Sequence, residues 1–581
     1  MVSVSDVVNL ANEPMPSLGS GWFDRLNWQD VVFAERSRRS ALLAMHPSWA
    51  LRRVTVRVHR NQAFEYVASA LDTFAAYAGY AFTFSYGDYD DSLSFLSNAD
   101  QPGNHDLELF WIDADRYRSK FAPGDFATWL GARVASRRAL SRAPLLVTEP
   151  VGSDDWASQA RAKLADVLKQ VSSTVVVPLD TVAQTMGAAF FDERNRALNG
   201  MPLSDQACVN AARTLAFTSF PVALEPRVKA IAVDLDETLH QGVLGEDGVN
   251  GVVLTAEHAR LQSALLRLRE RGLFLALVSK NDSTEVERLF AERKDYPLRL
   301  EHFSATSVGW GPKSEALRQI AIRLRISPDA ILFIDDNPGE LAEVAHRAPT
   351  TRLVRATDPA TTTRIVDHFP ALHGYPPSTA DDLRAHDLEA TAEREQLATS
   401  TESLGDYLEF LSVELRFRRG GAVDGARVAE LSNKTNQFNT SFARLTEADV
   451  AATLANPTKE IVTVALSDKL SNSGVIAAIT CHRQGTTVVV EDLVISCRAL
   501  GRRLEDVMVL EALRSGVVQP STDEILFNFT AGPRSEPARE WLAQLTGVPP
   551  LSGSASRFTW NLSVINERIA ALPVKIEWEV P

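Results

Sequence analysis

Three apolar runs that each stop at a polar cluster constrain this chain more than any other feature. "AIAVDLDET" carries Asp234 and Asp236, "LFLALVSKN" ends on Ser279 and Asn281, and "AILFIDDNP" ends on Asp335 and Asp336. Short continuous apolar runs of this kind suit strands buried on both faces, the pattern of a parallel sheet covered by helices. In an open sheet of that type ligands collect at the carboxyl ends of the strands, so each polar cluster falls where a site would be built.

The residue types then narrow the chemistry. A carboxylate attacks phosphorus to give an aspartyl-phosphate if a cation screens it from the phosphate oxygens, and Mg²⁺ suits an all-oxygen site. One residue between Asp234 and Asp236 turns one carboxylate toward a phosphate and lets the other reach the leaving oxygen. The same spacing serves a pair of capping or loop aspartates, and standing alone it favours that reading. The companions alter the balance: Ser279 offers a hydroxyl for a phosphate oxygen, and "GWGPKSEAL" sets Lys313 at the start of a helix. In this order the series resembles the four motifs of the haloacid dehalogenase superfamily. The resemblance implies Asp234 as nucleophile, Asp236 as general acid/base, Thr238 beside them, and Ser279 with Lys313 as the phosphate-binding pair. It also implies a Mg²⁺ site of Asp234, Asp236, Asp335 and Asp336, helped by Glu340, with Asn281 near the substrate. No long insertion separates Thr238 from Ser279 or Ser279 from Lys313, so a capless, Rossmann-like domain with an open site is expected.

The flanks narrow the resemblance. "DLDETLHQGVLGEDG", "SKND", "PKSEALRQIA" and "FIDDNPGE" resemble the FkbH-like subfamily, as do "LSNKTNQFNTS" and "VISCRALGRRLED" further on. That resemblance implies a phosphatase and acyl transferase in one chain. Such an enzyme dephosphorylates 1,3-bisphosphoglycerate and loads the glyceryl group as a thioester on an acyl carrier protein for polyketide or related natural-product assembly. Two positions depart from the family: Val278 stands where a cysteine usually precedes the motif serine, and His240-Gln241 stand where Trp-Gly is usual. Thiolate is the natural acyl relay and valine is not, so either the acyl group passes straight to the carrier, or another thiol serves, or the substrate differs. His240 is a candidate substrate contact or a structural hydrogen-bonder.

"CRALGRRLED" also resembles the R-x-x-G-x-G cofactor loop of Gcn5-type (GNAT-like) acetyltransferases, with Arg503 at the last glycine position. Backbone N–H groups there, with Arg498, Gly501 and Arg502, would cradle a pyrophosphate or a phosphopantetheine arm. The alternative is a helix cap with two solvated arginines. Cys497 is the remaining candidate relay, and Lys434 and Asn436 are candidate ligand or carrier contacts.

The remaining length sets the frame. At 581 residues, with 45% hydrophobic and 23% charged, the chain exceeds one core and reads as an α/β multidomain protein. Expected are an extension over 1–45, a degenerate SGNH/flavodoxin-like α/β domain over 46–225, and the phosphatase domain over 226–372. A linker over 373–404 and a GNAT-like α+β domain over 405–581 complete the division. In the first of these domains no serine nucleophile stands at the strand-to-helix turn, and Asp192 lacks the histidine a hydrolase would place after it, so a binding or covering role is expected. A net charge of -14 argues against a nucleic-acid partner. No membrane segment is visible, and three cysteines without ligand spacing point to a reducing cytoplasm. Two other readings stay open: a phosphatase for a different acyl phosphate or phosphorylated intermediate, and a non-catalytic carrier-docking scaffold.

Overall fold

A computed structural model describes residues 51–579 apart from 91, 93, 97–103, 226, 371, 373–389, 391–392, 395–396, 398–402, 421–422, 436, 497, 501 and 533–534. The chain divides into two compact units, residues 1–377 and 378–581.

The first unit holds two parallel five-stranded sheets. In the first sheet, β1 (Arg52–Arg60), β2 (Tyr80–Tyr89), β3 (Leu107–Trp111), β4 (Leu145–Thr148) and β5 (Thr174–Val177) run in the order β2-β1-β3-β4-β5. All four pairings are parallel, which gives a doubly wound order. Every residue of β3 and β4 is buried because helices cover both faces. Two of them, Pro123–Leu140 and Asp155–Leu168, pack so closely that a Cβ at Gly131 would lie 2.2 Å from Val167 Cγ1. Only glycine permits that approach.

The second sheet is built from β6 (Ala230–Val233), β7 (Phe274–Ser279), β8 (Ala305–Val308), β9 (Ile331–Asp335) and β10 (Arg352–Arg355), in the order β10-β9-β6-β7-β8. These pairings are parallel too. The chain winds out from β6 through β7 to β8, then returns to lay β9 on the other side of β6. The crevice between the ends of β6 and β9 is therefore the switch point of this sheet. Within "LRLEHFSA" residues Leu300–His302 form a 3-10 turn and the strand begins only at Ala305, because the polar Glu301 and His302 interrupt the apolar run. Between β6 and β7 the chain forms only the helices Leu244–Gly251 and Ala256–Glu270, so no cap domain is inserted there. One hydrophobic core runs through both sheets, from Val54 to Leu372. Glu225 adds a polar tie, accepting from Tyr80 Oη at 2.6 Å and Arg52 Nη1 at 3.0 Å.

The second unit is a mixed eight-stranded sheet comprising β11 (Glu414–Arg419), β12 (Phe438–Asn439), β13 (Lys459–Ser467), β14 (Asn472–Gln484), β15 (Thr487–Ile495), β16 (Glu524–Phe529), β17 (Ser554–Thr559) and β18 (Lys575–Glu579). β13, β14 and β15 are consecutive antiparallel strands. The helix Glu505–Gly516, buried from Val507 to Leu513, covers this sheet. β15 pairs in parallel with β16 over its first half only; its last residues, Val494 and Ile495, pair instead with β12.

Candidate active site

Each side chain of the predicted cluster stands at the carboxyl edge of the second sheet. Asp234 follows β6 directly, its backbone N–H donating to Ile334 O of β9 at 2.9 Å, and Asp335 ends β9 across the switch point. Lys313 opens the helix Lys313–Arg323 behind Pro312, whose fixed φ suits the residue before a helix. Its ammonium donates to Asp234 Oδ1 at 2.8 Å and to Asp335 Oδ2 at 2.5 Å, with all three side chains buried.

The electrostatics follow from burial. Loss of solvent pushes the Asp234 carboxyl up to about 7, with Asp335 adding to the rise and Lys313 opposing it. Burial also raises Asp335, and burial together with Asp335 raises Asp336. Burial works against the Lys313 ammonium, but the two carboxylates outweigh it and its pKa ends above the ordinary value. Oxygens of Asp234, Asp335 and Asp336 lie within 4.8 Å of one another. Three carboxylates facing one ammonium leave an excess of negative charge on an all-oxygen donor set, which fits a divalent hard cation such as Mg²⁺.

Asp236, counted among the metal ligands from the sequence, stands outside that group. Its Oδ1 accepts from Leu244 N at 2.9 Å and meets His240 Nε2 at 3.3 Å, while Oδ2 accepts from Asn281 Nδ2 at 2.8 Å. Burial opposes ionisation, yet these donors together hold the Asp236 carboxyl below its ordinary value. Asn281 also donates to Ser279 Oγ at 2.8 Å, tying the acid/base candidate to the phosphate-binding hydroxyl. Thr238 is buried and its Oγ1 has no hydrogen-bond partner. Glu340 accepts from Lys280, the residue between Ser279 and Asn281, at 2.5 Å. Val278 is buried within β7, and by strand alternation its side chain lies opposite that of Ser279.

In the second unit Arg503, at the last glycine position of the acetyltransferase-like loop, adopts the left-handed φ of +55°. Arg502 is not a solvated cation: it is buried, and its Nη1 donates to the buried Asp468 Oδ2 at 3.0 Å, a carboxylate shared with Arg394. Arg498 is buried as well. Asn439, in the polar run before β15, turns inward and accepts from Ser441 N and Phe442 N, a structural role. Cys497, Gly501 and Asn436 lie outside the described residues, and Lys434 is described only as the last residue of the helix Gly425–Lys434. Cys208 and Cys481 are buried and free, and burial pushes each thiol up to about 12.

No protein-family model and no curated protein matches the chain. Among solved structures, the N-terminal part of a Bacteroides fragilis protein, containing a phosphatase domain complexed with Mg, aligns at 16% identity and TM-score 0.42 over 61% of this chain and 98% of its own. A Streptomyces avermitilis protein described as a HAD family hydrolase aligns at 18% identity and TM-score 0.18 over 26% of this chain and 97% of its own. A UDP-glucosyltransferase from Polygonum tinctorium aligns at 10% identity and TM-score 0.14 over 60% and 95%.

Proposed function

We propose that this chain is a Mg²⁺-dependent phosphatase of the haloacid dehalogenase type that also transfers an acyl group: it hydrolyses the C3 phosphate ester of 1,3-bisphosphoglycerate, and the phosphopantetheine thiolate of an acyl carrier protein displaces the C1 phosphate from the acyl carbon, which loads glyceryl as a thioester. The observation that carries the phosphatase half is the Lys313 ammonium held between Asp234 and Asp335 at the switch point, with Asp336 completing a three-carboxylate cluster. Such a group is costly to bury and contributes little to stability, so its chemistry is the better account of it.

Asp234 is the only member of the D-x-D pair whose carboxylate faces Lys313, which suits it to attack phosphorus while the ammonium holds a phosphate oxygen. Asp234, Asp335 and Asp336 would hold Mg²⁺, which when bound supplies charge neutralisation at the phosphate oxygens. Asp236, kept in place by Leu244 N, His240 and Asn281, is ionised at neutral pH and suits the second half-reaction, taking a proton from the water that splits the aspartyl-phosphate. Between β6 and β7 no cap covers the edge, which supports a large substrate such as a carrier protein.

The acyl-transfer half rests on the resemblance of "VISCRALGRRLED" and on the left-handed Arg503. A second reading, phosphatase action on a different acyl phosphate or phosphorylated intermediate, draws support from the thiols. Cys208 and Cys481 are too buried to relay an acyl group, and position 278 is valine. Intact-mass analysis of a phosphopantetheinylated carrier, incubated with the protein, Mg²⁺ and 1,3-bisphosphoglycerate, separates the two. A glyceryl-sized gain that Asp234→Asn abolishes supports transfer, phosphate release without gain supports the second reading, and neither signal across several carriers supports a docking scaffold.

A further inference from the structure

The first sheet has a switch point of its own, between the carboxyl ends of β1 and β3. The two segments leaving those strands are locked together there: Asp113 N donates to Asn61 Oδ1 at 2.7 Å and Asn61 Nδ2 returns a bond to Asp113 O at 2.9 Å. Beside this clasp opens a small cleft lined by Gln62, Asp113, Asp115, Glu149, Phe190 and Phe191, among others. Two buried acceptors on its lining are unsatisfied. Gln62 is 2% exposed and its Oε1 accepts no hydrogen bond; Asp113 is 8% exposed and its Oδ2 accepts none either. Buried polar atoms left in that state cost stability, so a partner from outside the chain is the natural explanation.

The charges around the cleft say what kind of partner fits. Asp113 Oδ2 has Arg116 Nε at 3.5 Å and Arg196 Nη1 at 3.9 Å, near enough to balance its charge but too far to fill its lone pairs. Asp115 is matched more closely: Arg118 Nη2 donates to its Oδ1 at 2.9 Å, and Arg196 Nη2 lies 3.7 Å from its Oδ2. An ammonium ligand would meet those arginines and an anionic ligand the carboxylates. The need is for neutral hydrogen-bond donors, while Phe190 and Phe191 offer an apolar wall for C–H groups. We infer that the cleft at the β1/β3 switch point binds a small neutral polyhydroxylated molecule, a polyol or sugar, whose hydroxyls donate to Gln62 Oε1 and Asp113 Oδ2.

The site is independent of the phosphatase reading, since none of its residues belongs to the second sheet. Ligand-observed saturation-transfer NMR on the full chain, with glycerol, ribose and glucose as probes and ethylammonium as the cationic control, tests it. At least one polyol should bind, and Gln62→Leu should weaken that binding about tenfold, the worth of one hydrogen bond to a buried acceptor. Phe191, 38% exposed, tolerates truncation, so Phe191→Ala provides a second variant if Gln62→Leu does not fold. Absence of any polyol signal, binding that neither variant weakens, or binding of ethylammonium alone would overturn the assignment.

Discussion

Asp234 should make the metal-free protein less stable than its asparagine variant, and the difference should depend on pH. Its carboxyl is held at about 7 against an ordinary 3.8, so at 1.36 kcal/mol per tenfold change, ionising it in the folded chain costs about 4 kcal/mol. The sign follows from the raised value: the stability this group contributes is fully present below pH 3.8 and is lost as pH rises through about 7. Asp234→Asn mimics the protonated form and carries no such cost. In EDTA the variant should match the wild type near pH 4 and exceed it by up to about 4 kcal/mol at pH 8, the Lys313 pairing being already included in the perturbed value. Urea unfolding at several pH values, following the Mg²⁺-responsive transition, measures this directly. A variant less stable than wild type at pH 8, or a difference that does not change with pH, would refute the electrostatic account of the site.

Other perturbations test separate parts of it. Mg²⁺ should raise the wild-type melting temperature and leave Asp335→Asn unmoved in differential scanning fluorimetry, because a ligand stabilises only the fold that binds it. Lys313→Met should destabilise the metal-free protein by about 3–5 kcal/mol at pH 8, since it strands two buried carboxylates, and should lower phosphate release by about 100-fold or more. Asp468→Ala leaves Arg394 and Arg502 buried without their carboxylate and should cost the second unit about 3–5 kcal/mol in chemical denaturation. Cys208 and Cys481, with thiols at about 12, should resist iodoacetamide until the chain is unfolded, as peptide mass mapping would report.

Much of the phosphatase-like edge was legible from residues alone, and the reason is local. A continuous apolar run can be buried on both faces only in a covered parallel sheet, and a polar residue directly after it must surface at the strand's carboxyl end. That logic locates Asp234, Ser279 and Asp335, and the position of Lys313 at a helix start adds the fourth group. β2, β11 and β17 carry no such run, because exposed residues interrupt their apolar ones.

What sequence by itself determined is which residue types follow which strands, since strand ends and helix starts are set by neighbours along the chain. Only the tertiary structure decided how those groups share charge. The order β10-β9-β6-β7-β8 sets Asp335 beside Asp234 across a gap of about a hundred residues, and Lys313 between them. It turns Asp236 away toward Asn281 and Leu244, and it commits Arg502, a free cation on paper, to the buried Asp468. Hydrogen-bond partners and desolvation depend on distances that no spacing in sequence specifies, because they arise only when separate strands and helices close on one another.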